Sequence, residues 1–179
     1  VWVPVVCRTG EPEGSVVRWG RRGAGELSAL RRSAAAALTV RTTGGPATRQ
    51  DAGSRESIAG GKAEIARGLS PGGRLIAPYG EKLLEPQLAG LALEITTFGF
   101  DRLADIHPTY HDPSEDGRLH AVLSVCGREI DLWLNFAPHH HLLNTMAAIG
   151  AYYLLRQSLA ALPAAVERYH LSRRPVECI

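Results

Sequence analysis

A lysine preceded by two glycines, Gly60-Gly61-Lys62, is the first candidate for phosphate chemistry. In a phosphate-binding loop, backbone N–H groups and a lysine ammonium hold the phosphates, and the pattern requires Gly at position 56 and Ser or Thr at position 63. Glu56 and Ala63 occupy those positions, and the segment has the composition of a helix rather than of a loop. The spacing therefore excludes a phosphate-binding loop at Lys62.

Five histidines form the second candidate, because imidazole is a common zinc ligand. His139-His140-His141 are consecutive, but adjacent side chains on a strand or helix point apart and cannot easily meet at one tetrahedral ion. His107 and His111 are four residues apart, but Pro108 disfavours the helix that would align them. The pattern therefore favours ordinary surface or helix-cap histidines over a structural zinc site.

Four motifs, taken in order, resemble the central ATP-binding domain of the Mur ligases. The family patterns are G-E-I-x-x-L, G-S-x-E-x-I-A-x-A-K-x-E-I with G-L-x-x-x-G, T-F-G and H-N-x-x-N-x-x-A-A. Their counterparts here are Gly25-Glu26-Leu27 with Leu30, the runs 53–65 and 68–73, Thr97-Phe98-Gly99, and the run 140–148. The order and spacing agree over about residues 15–156, and the pattern is most similar to that of the members that add D-alanyl-D-alanine.

The resemblance implies a reaction, its cofactors and its site residues. Mur ligases use ATP and Mg²⁺ to convert a carboxylate into an acyl phosphate, which an amine attacks to form an amide in peptidoglycan precursor synthesis. The implied partners are a nucleotide and a UDP-sugar peptide. By motif, Lys62 is the counterpart of the family's carbamylated lysine, and His140 and Asn144 are candidate ATP contacts. Two alternatives stay open: Lys62 as a solvated helix lysine, and Asn144 as a helix N-cap.

Two departures affect the implied metal site. Arg18 stands where the family has the Glu of its E-M-G strand end, and Thr48 stands where it has a metal-ligand His. A cation and a neutral hydroxyl at these positions predict weak Mg²⁺ binding. We therefore expect a fragment or degenerate member that is inactive alone. The alternative is a non-catalytic nucleotide- or partner-binding module on the same scaffold.

The segments that must position these residues alternate between strand-like and helix-like patterns, which predicts an α/β fold with a mostly parallel sheet flanked by helices. The predicted strands are 15–19, 38–42, 74–77 and 94–98, and the predicted helices are 25–38, 54–68 and 85–93.

A smaller antiparallel unit is predicted within about residues 94–134. Apolar side chains alternate with polar ones in 119–125 and 130–134, and Cys126-Gly127 between these runs favours a tight hairpin. Residues 104–111 are a candidate third strand. Helical patterns follow after Pro138 and around 160–169.

Composition limits the class of protein, its cellular location and its partners. The 179 residues are 45% hydrophobic and 21% charged, which suits a folded domain, and no apolar run approaches the roughly 20 residues of a spanning helix. The absence of a signal-peptide pattern and of a cysteine framework predicts a cytoplasmic location. The Arg-rich first sixty residues lack the interleaved aromatics of a nucleic-acid binder, so we expect neither nucleic acid nor a membrane as partner, and the sequence identifies no protein partner.

The expected organisation has three parts. Residues 1–14 are a linker or the remnant of a preceding segment, and 15–156 are the domain similar to the Mur ligase central domain. Residues 157–179 are a terminal helix and the start of a connection to a further domain. The family's phosphate-binding loop would precede residue 15, and residues 1–14 do not contain it. Together with the lack of an initiating Met, this predicts part of a longer chain.

Overall fold

The computed structural model describes residues 5–8, 15–18, 38–40, 66–67, 69, 71–82, 85–135, 139–156 and 158–168. The strands among them are β1 (Val5–Arg8), β2 (Ser15–Arg18), β3 (Leu38–Val40), β4 (Arg74–Pro78), β5 (Glu94–Phe98), β6 (Ile106–Pro113), β7 (Leu119–Val125) and β8 (Arg128–Leu134). The helices are α1 (Glu85–Leu88), α2 (His139–Arg156) and α3 (Leu162–Glu167).

Strands β3 to β8 form one six-stranded sheet whose order follows the chain. β3, β4 and β5 are parallel, which confirms the predicted α/β class. The last four residues of β4 are all buried, as expected for a parallel strand that is covered on both faces. Ile76 belongs to a large core with α2, whereas Leu75 and Ala77 belong to a smaller core with Leu88 of α1.

β6 is parallel to β5 but overlaps it at one position only, where Phe98 pairs with Ile106. Parallel strands that lie side by side need a crossover of a dozen or more residues. Residues 99–105 are too few for such a crossover. They can connect these two strands because β6 starts where β5 ends, so the chain does not have to return to the start of β5. The rest of β6 therefore projects past the C-terminal edge of the parallel strands.

β6, β7 and β8 form the antiparallel unit. It begins at Ile106 rather than near residue 94, because β5 pairs in the parallel direction. Cys126 and Gly127 have φ angles of 50° and 80°, and two positive φ values are the signature of a type I′ hairpin turn. The predicted hairpin is thus confirmed, together with its turn residues.

A β-bulge lies between Pro108 and Tyr110 of β6. Before it, His107 pairs with Ser124 on the outer face of the unit; after it, His111 pairs with Ala121, which is fully buried on the core face. One extra residue in a strand reverses the side on which later side chains lie. The two histidines therefore occupy opposite faces.

The core face of the antiparallel unit packs against α2. Leu123, Leu132, Leu142 and Met146 are almost fully inaccessible to solvent and belong to one cluster. The helix also contacts β3, β4, β5 and β6, so it crosses both halves of the sheet. α2 is therefore the element that fixes the parallel and antiparallel parts to each other.

Some predicted elements differ from the structure or lie outside it. The helix predicted over 85–93 ends at Leu88, because Gly90 with φ of 82° breaks the helical backbone. β1 lies within residues 1–14 and pairs antiparallel with β2 in a separate two-stranded sheet, since a six-residue connection suits a hairpin better than a crossover. The helix predicted over 25–38 lies outside the described residues, apart from Leu38 in β3, and so does that over 54–68, apart from residues 66–67.

Within the described residues, no helix is both long and apolar enough to cross a membrane.

Candidate functional site

The C-terminal edge of β4 and β5 is the natural place to look for a ligand, because open α/β sheets bind ligands outside the carboxyl ends of their strands. At this edge the Tyr79 N–H donates to the Phe98 carbonyl oxygen at 2.8 Å, and the Gly99 N–H donates to the Ile106 carbonyl oxygen at 3.0 Å. Tyr79, which directly follows β4, and Phe100, two residues after β5, are 37% and 38% exposed. The edge therefore combines a fixed backbone with accessible aromatic side chains.

Asp105 fixes the loop that leaves this edge. Its Oδ2 accepts hydrogen bonds from the backbone N–H and the hydroxyl of Thr97, both at 2.7 Å, and its own N–H donates to Thr97 Oγ1 at 3.1 Å. Its carbonyl oxygen accepts from the Cys126 N–H at 2.8 Å. Asp105 thus joins the end of β5, the start of β6 and the β7–β8 turn. We call this set of hydrogen bonds the Asp105 clamp.

The T-F-G motif points to Thr97, but no motif points to Asp105. The two residues are eight positions apart and face each other across a loop, so no strand or helix periodicity links them. The one available signal is the position of Asp105 near the start of the predicted third strand.

The direction of α2 places its N-terminal half beyond the same edge. Near the other end of the helix, the Leu154 carbonyl accepts a 2.6 Å hydrogen bond from Arg74 Nη1, and Arg74 is the first residue of β4. The C-terminus of α2 therefore lies at the N-terminal edge of the parallel strands, and the helix runs antiparallel to them. At 1.5 Å per residue its 18 residues span about 27 Å, against roughly 17 Å for five-residue β4, so its first turns reach beyond the strand ends.

His140 and Asn144 lie in the first two turns of α2, so the fold places this motif beyond the sheet edge at which the T-F-G strand ends. The Asn144 side chain is exposed, and the Thr145 hydroxyl donates to the His141 carbonyl at 2.9 Å. The interpretation of Asn144 as an N-cap is wrong, because the helix begins five residues earlier, at His139. The amide therefore has no capping role and faces solvent.

The other predicted site residues are less completely described. Arg18 ends β2, and of its side chain nothing is described. Lys62 and Thr48 lie outside the described residues, as does the His140 side chain. Within the described part of the chain, no three His, Cys, Asp or Glu side chains come together as metal ligands.

One carboxyl and one thiol near the turns of the antiparallel unit have shifted pKa values. Hydrogen bonds from Ser114, and then from Arg118, lower the pKa of Asp116 from 3.8 to about 2. Partial burial, and then the neighbouring Asp105 charge, raise the pKa of the Cys126 thiol. The thiol is therefore a weaker nucleophile at neutral pH than an ordinary cysteine.

Comparison with known proteins gives a consistent result. A family model described as Mur ligase middle domain matches residues 16–152. UDP-N-acetylmuramoyl-tripeptide–D-alanyl-D-alanine ligase of Bacillus subtilis (strain 168) is 33% identical over 141 residues, which cover 78% of this chain and 30% of that protein.

Solved structures that share the fold include two MurF proteins. MurF from Thermotoga maritima in complex with ADP superposes with a TM-score of 0.73 at 17% identity, covering 84% of this chain and 34% of that one. MurF from Acinetobacter baumannii gives 0.70 at 21% identity, covering 86% and 34%. The chain thus spans about a third of the length of these relatives.

Proposed function

The chain belongs to the Mur ligase family, and from this premise we propose that it supplies the nucleotide-binding middle domain of a ligase of the D-alanyl-D-alanine-adding type. Such a ligase phosphorylates the carboxylate of a UDP-sugar peptide at the expense of ATP, and an amine then displaces phosphate to form the amide. The substrate classes follow from the relatives and not from this domain's own side chains.

One observation carries the proposal: α2 runs past the sheet edge where β4 and β5 end, and its first turns lie beyond that edge. The unpaired N–H groups of a helix N-terminus favour a negatively charged ligand, and the first turn of α2 contains no acidic residue to oppose one. The exposed Asn144 amide can donate and accept hydrogen bonds, as recognition of a base or ribose requires. We propose that Asn144 and His140 orient the nucleotide.

The residues at the family's metal positions do not fit Mg²⁺. Arg18 and Thr48 stand where the family has a carboxylate and an imidazole. A divalent cation prefers anionic oxygen ligands and is repelled by a guanidinium. We therefore propose that residues 1–179 alone do not complete the reaction, and we derive no step through the metal.

The same mismatch bears on Lys62. Removing a proton from a lysine with a reference pKa near 10.4 costs roughly 4–5 kcal/mol at pH 7, and a cation must stabilise the resulting carbamate. Because Arg18 and Thr48 replace the carboxylate and the imidazole that would hold that cation, we propose that Lys62 remains an ordinary ammonium. In ¹³C NMR with labelled bicarbonate and Mg²⁺, we expect no carbamate signal. A signal that is lost in Lys62→Arg would show a functional carbamylation site.

A second candidate function is a non-catalytic nucleotide-binding module, and the replacements by Arg18 and Thr48 favour it. Both candidates require nucleotide binding, and neither predicts phosphate release by residues 1–179 alone. Nucleotide binding and ATP hydrolysis by the chain are therefore measured separately.

The binding test uses fluorescent ADP with the 179-residue chain. We expect Asn144→Ala to weaken binding by about tenfold, the equivalent of one hydrogen bond to a charged or strongly polar group. Leu155→Ala is the matched control, because Leu155 is 64% exposed at the opposite end of the same helix. Equal affinity for Asn144→Ala and the control would contradict the proposed site.

The activity test measures phosphate release from MgATP. We expect no release above that of a Lys62→Ala control. Release by the unaltered chain alone would instead support a competent active site and refute the proposed loss of metal binding.

A further inference from the structure

The outer face of the antiparallel unit is an ordered surface of aromatic and acidic side chains. Strand pairing arranges it in three rows that cross β6, β7 and β8. The rows are Asp112, His120 and Trp133; Tyr110, Val122 and Asp131; and His107, Ser124 and Glu129. With neutral histidines these rows carry three negative charges and no positive one, whereas the whole chain has a net charge of +2.

One corner of the face already holds a guanidinium. The Arg118 guanidinium carbon lies 4.8 Å from the centre of the Trp133 ring, and Arg118 Nε donates to Asp116 Oδ2 at 2.6 Å. His120 stacks against the same indole, with ring centres 4.5 Å apart and planes 5° from parallel. An aromatic ring and a carboxylate thus hold one arginine by stacking and ion pairing together.

Tyr110 and Asp112 repeat this pair of groups a short distance away. Both residues are on β6 and on the same outer face, two positions apart. Tyr110 is 48% exposed, and its ring makes a T-shaped contact with His120, with 5.3 Å between ring centres. Among the described residues, the Asp112 carboxylate makes no hydrogen bond or ion pair, unlike Asp131, which His120 Nε2 contacts at 2.9 Å. The ring is held in place, and the carboxylate is available.

The size and charge of the face indicate the kind of partner. Three strands about 4.8 Å apart and three rows about 6.8 Å apart give a patch of roughly 10 by 14 Å between outer Cα atoms. This suits a few residues of an extended segment rather than the roughly 800 Å² that each partner contributes to a stable interface between globular proteins. The negative charge of the patch favours a basic segment.

We propose that this outer face binds an arginine-bearing extended segment of a partner protein, with one guanidinium over the Tyr110 ring and paired with the Asp112 carboxylate. Arginine fits better than lysine, because its planar group can stack on a ring and pair with a carboxylate at the same time. The Tyr110 ring already packs against His120, so binding costs little further side-chain entropy.

The probe is the peptide Gly-Ser-Arg-Ser-Arg-Ser-Gly, titrated into the ¹⁵N-labelled 179-residue chain at low ionic strength. Two comparison peptides replace both arginines with citrulline, which has the same shape without the charge, or with lysine. We expect shifts at the amides of β6 and β7 and at the Trp133 indole for the arginine peptide. We expect affinity at least about fivefold lower for lysine and none measurable for citrulline.

Variants of the chain test the contact with the Tyr110 ring and the contact with the Asp112 carboxylate separately. Asp112→Asn and Tyr110→Ala should each weaken binding by about fivefold or more, and Tyr110→Phe, which keeps the ring, should retain it. Tyr79→Ala and Glu167→Gln are the matched controls, since they remove an exposed tyrosine and an exposed carboxylate elsewhere. Circular dichroism verifies that each variant is folded.

Several results would overturn the proposal. Equal binding of the lysine peptide would show charge attraction without stacking, and equal binding of the citrulline peptide would exclude the ion pair. Loss of affinity in the two control variants as large as in Asp112→Asn would place the site elsewhere. Self-association in sedimentation experiments that Tyr110→Ala abolishes would show that a second copy of the chain is the partner instead.

Discussion

Gly150 of α2 lies where the helix comes closest to the sheet, and it provides a quantitative test of the packing between them. A Cβ atom added there would lie 2.6 Å from Ile106 Cδ1 and 3.5 Å from Ile76 Cδ1. Carbon atoms in contact are normally about 3.5–4.0 Å apart, so the first distance is a clash and the second is ordinary contact. Ile106 is fully buried, so its terminal methyl can move only into other core atoms.

The expected effect of Gly150→Ala is the difference between two opposing contributions. Overpacking a core costs about 1–3 kcal/mol, and replacing Gly with Ala inside a helix gains about 1 kcal/mol. We therefore expect a net destabilisation of about 1 kcal/mol, or a fall of roughly 2–4 °C in Tm for a domain of this size.

The Ile106→Val background makes this reasoning refutable, because it removes the clashing methyl. In that background only the ordinary contact with Ile76 remains, so Gly150→Ala should stabilise the protein by about 0.5–1 kcal/mol. The free energy of unfolding in urea, followed by tryptophan fluorescence, is the measurement. Ala148→Gly, at an exposed position of the same helix, is the control and should cost about 1 kcal/mol in both backgrounds. Stabilisation by Gly150→Ala of equal size in both backgrounds would refute the predicted close approach.

Three further predictions concern the turns and the helix end. Cys126→Asn should stabilise the protein by about 0.5–1 kcal/mol, because Asn tolerates the positive φ of the hairpin turn better; unchanged or lower Tm would contradict this. Arg74→Met should destabilise by about 1–2 kcal/mol in urea, because it removes the charged hydrogen bond to a last-turn carbonyl of α2; no change would mean that water replaces it fully. The low pKa of Asp116, caused by hydrogen bonds from Ser114 and Arg118, stabilises the folded state above pH 3.8, and this contribution should disappear as the pH falls towards 2. A carboxyl NMR titration of the native chain should have its midpoint near 2, and a midpoint near 3.8 would contradict the turn geometry.

Much of the sheet can be predicted because local patterns decide it. The sequence predicts β5 with its observed bounds, and β7 and β8 follow from alternation around a two-residue turn. The parallel class follows from alternating element types. Where such local signals are strong, tertiary contacts do not override them.

Features that depend on one residue or on distant contacts are not predictable in the same way. The helix predicted over 85–93 does not account for Gly90, whose positive φ breaks the helical backbone. The β-bulge in β6 depends on a register shift that sequence alternation does not reveal, and it decides on which face His111 lies. β1 is absent from the prediction, although valines on both sides of a Gly- and Pro-containing loop are typical of a hairpin.

The candidate site is predictable in part. The residue types of the motif identify His140 and Asn144, but their position beyond the strand ends requires the direction of α2, which the Arg74 hydrogen bond defines. The roles of Lys62, Arg18 and Thr48 stay predictions. The Asp105 clamp could not be predicted, because it joins exposed residues across a loop.

The staggered overlap of β5 and β6 also has a consequence for the order in which the chain folds. Contacts within β6, β7 and β8 join residues that are close in sequence, whereas β3 and β4 pair residues 38 and 74 across a long connection. Contacts between nearby residues form faster, because less chain entropy is lost in closing the loop. Since one residue pair and the Asp105 clamp connect β6 to β5, the antiparallel unit can form first and later accept the parallel strands one by one. In pulse-labelled hydrogen exchange, we expect the amides of β7 and β8 to become protected before those of β4, and simultaneous protection would show that the two halves fold as one unit.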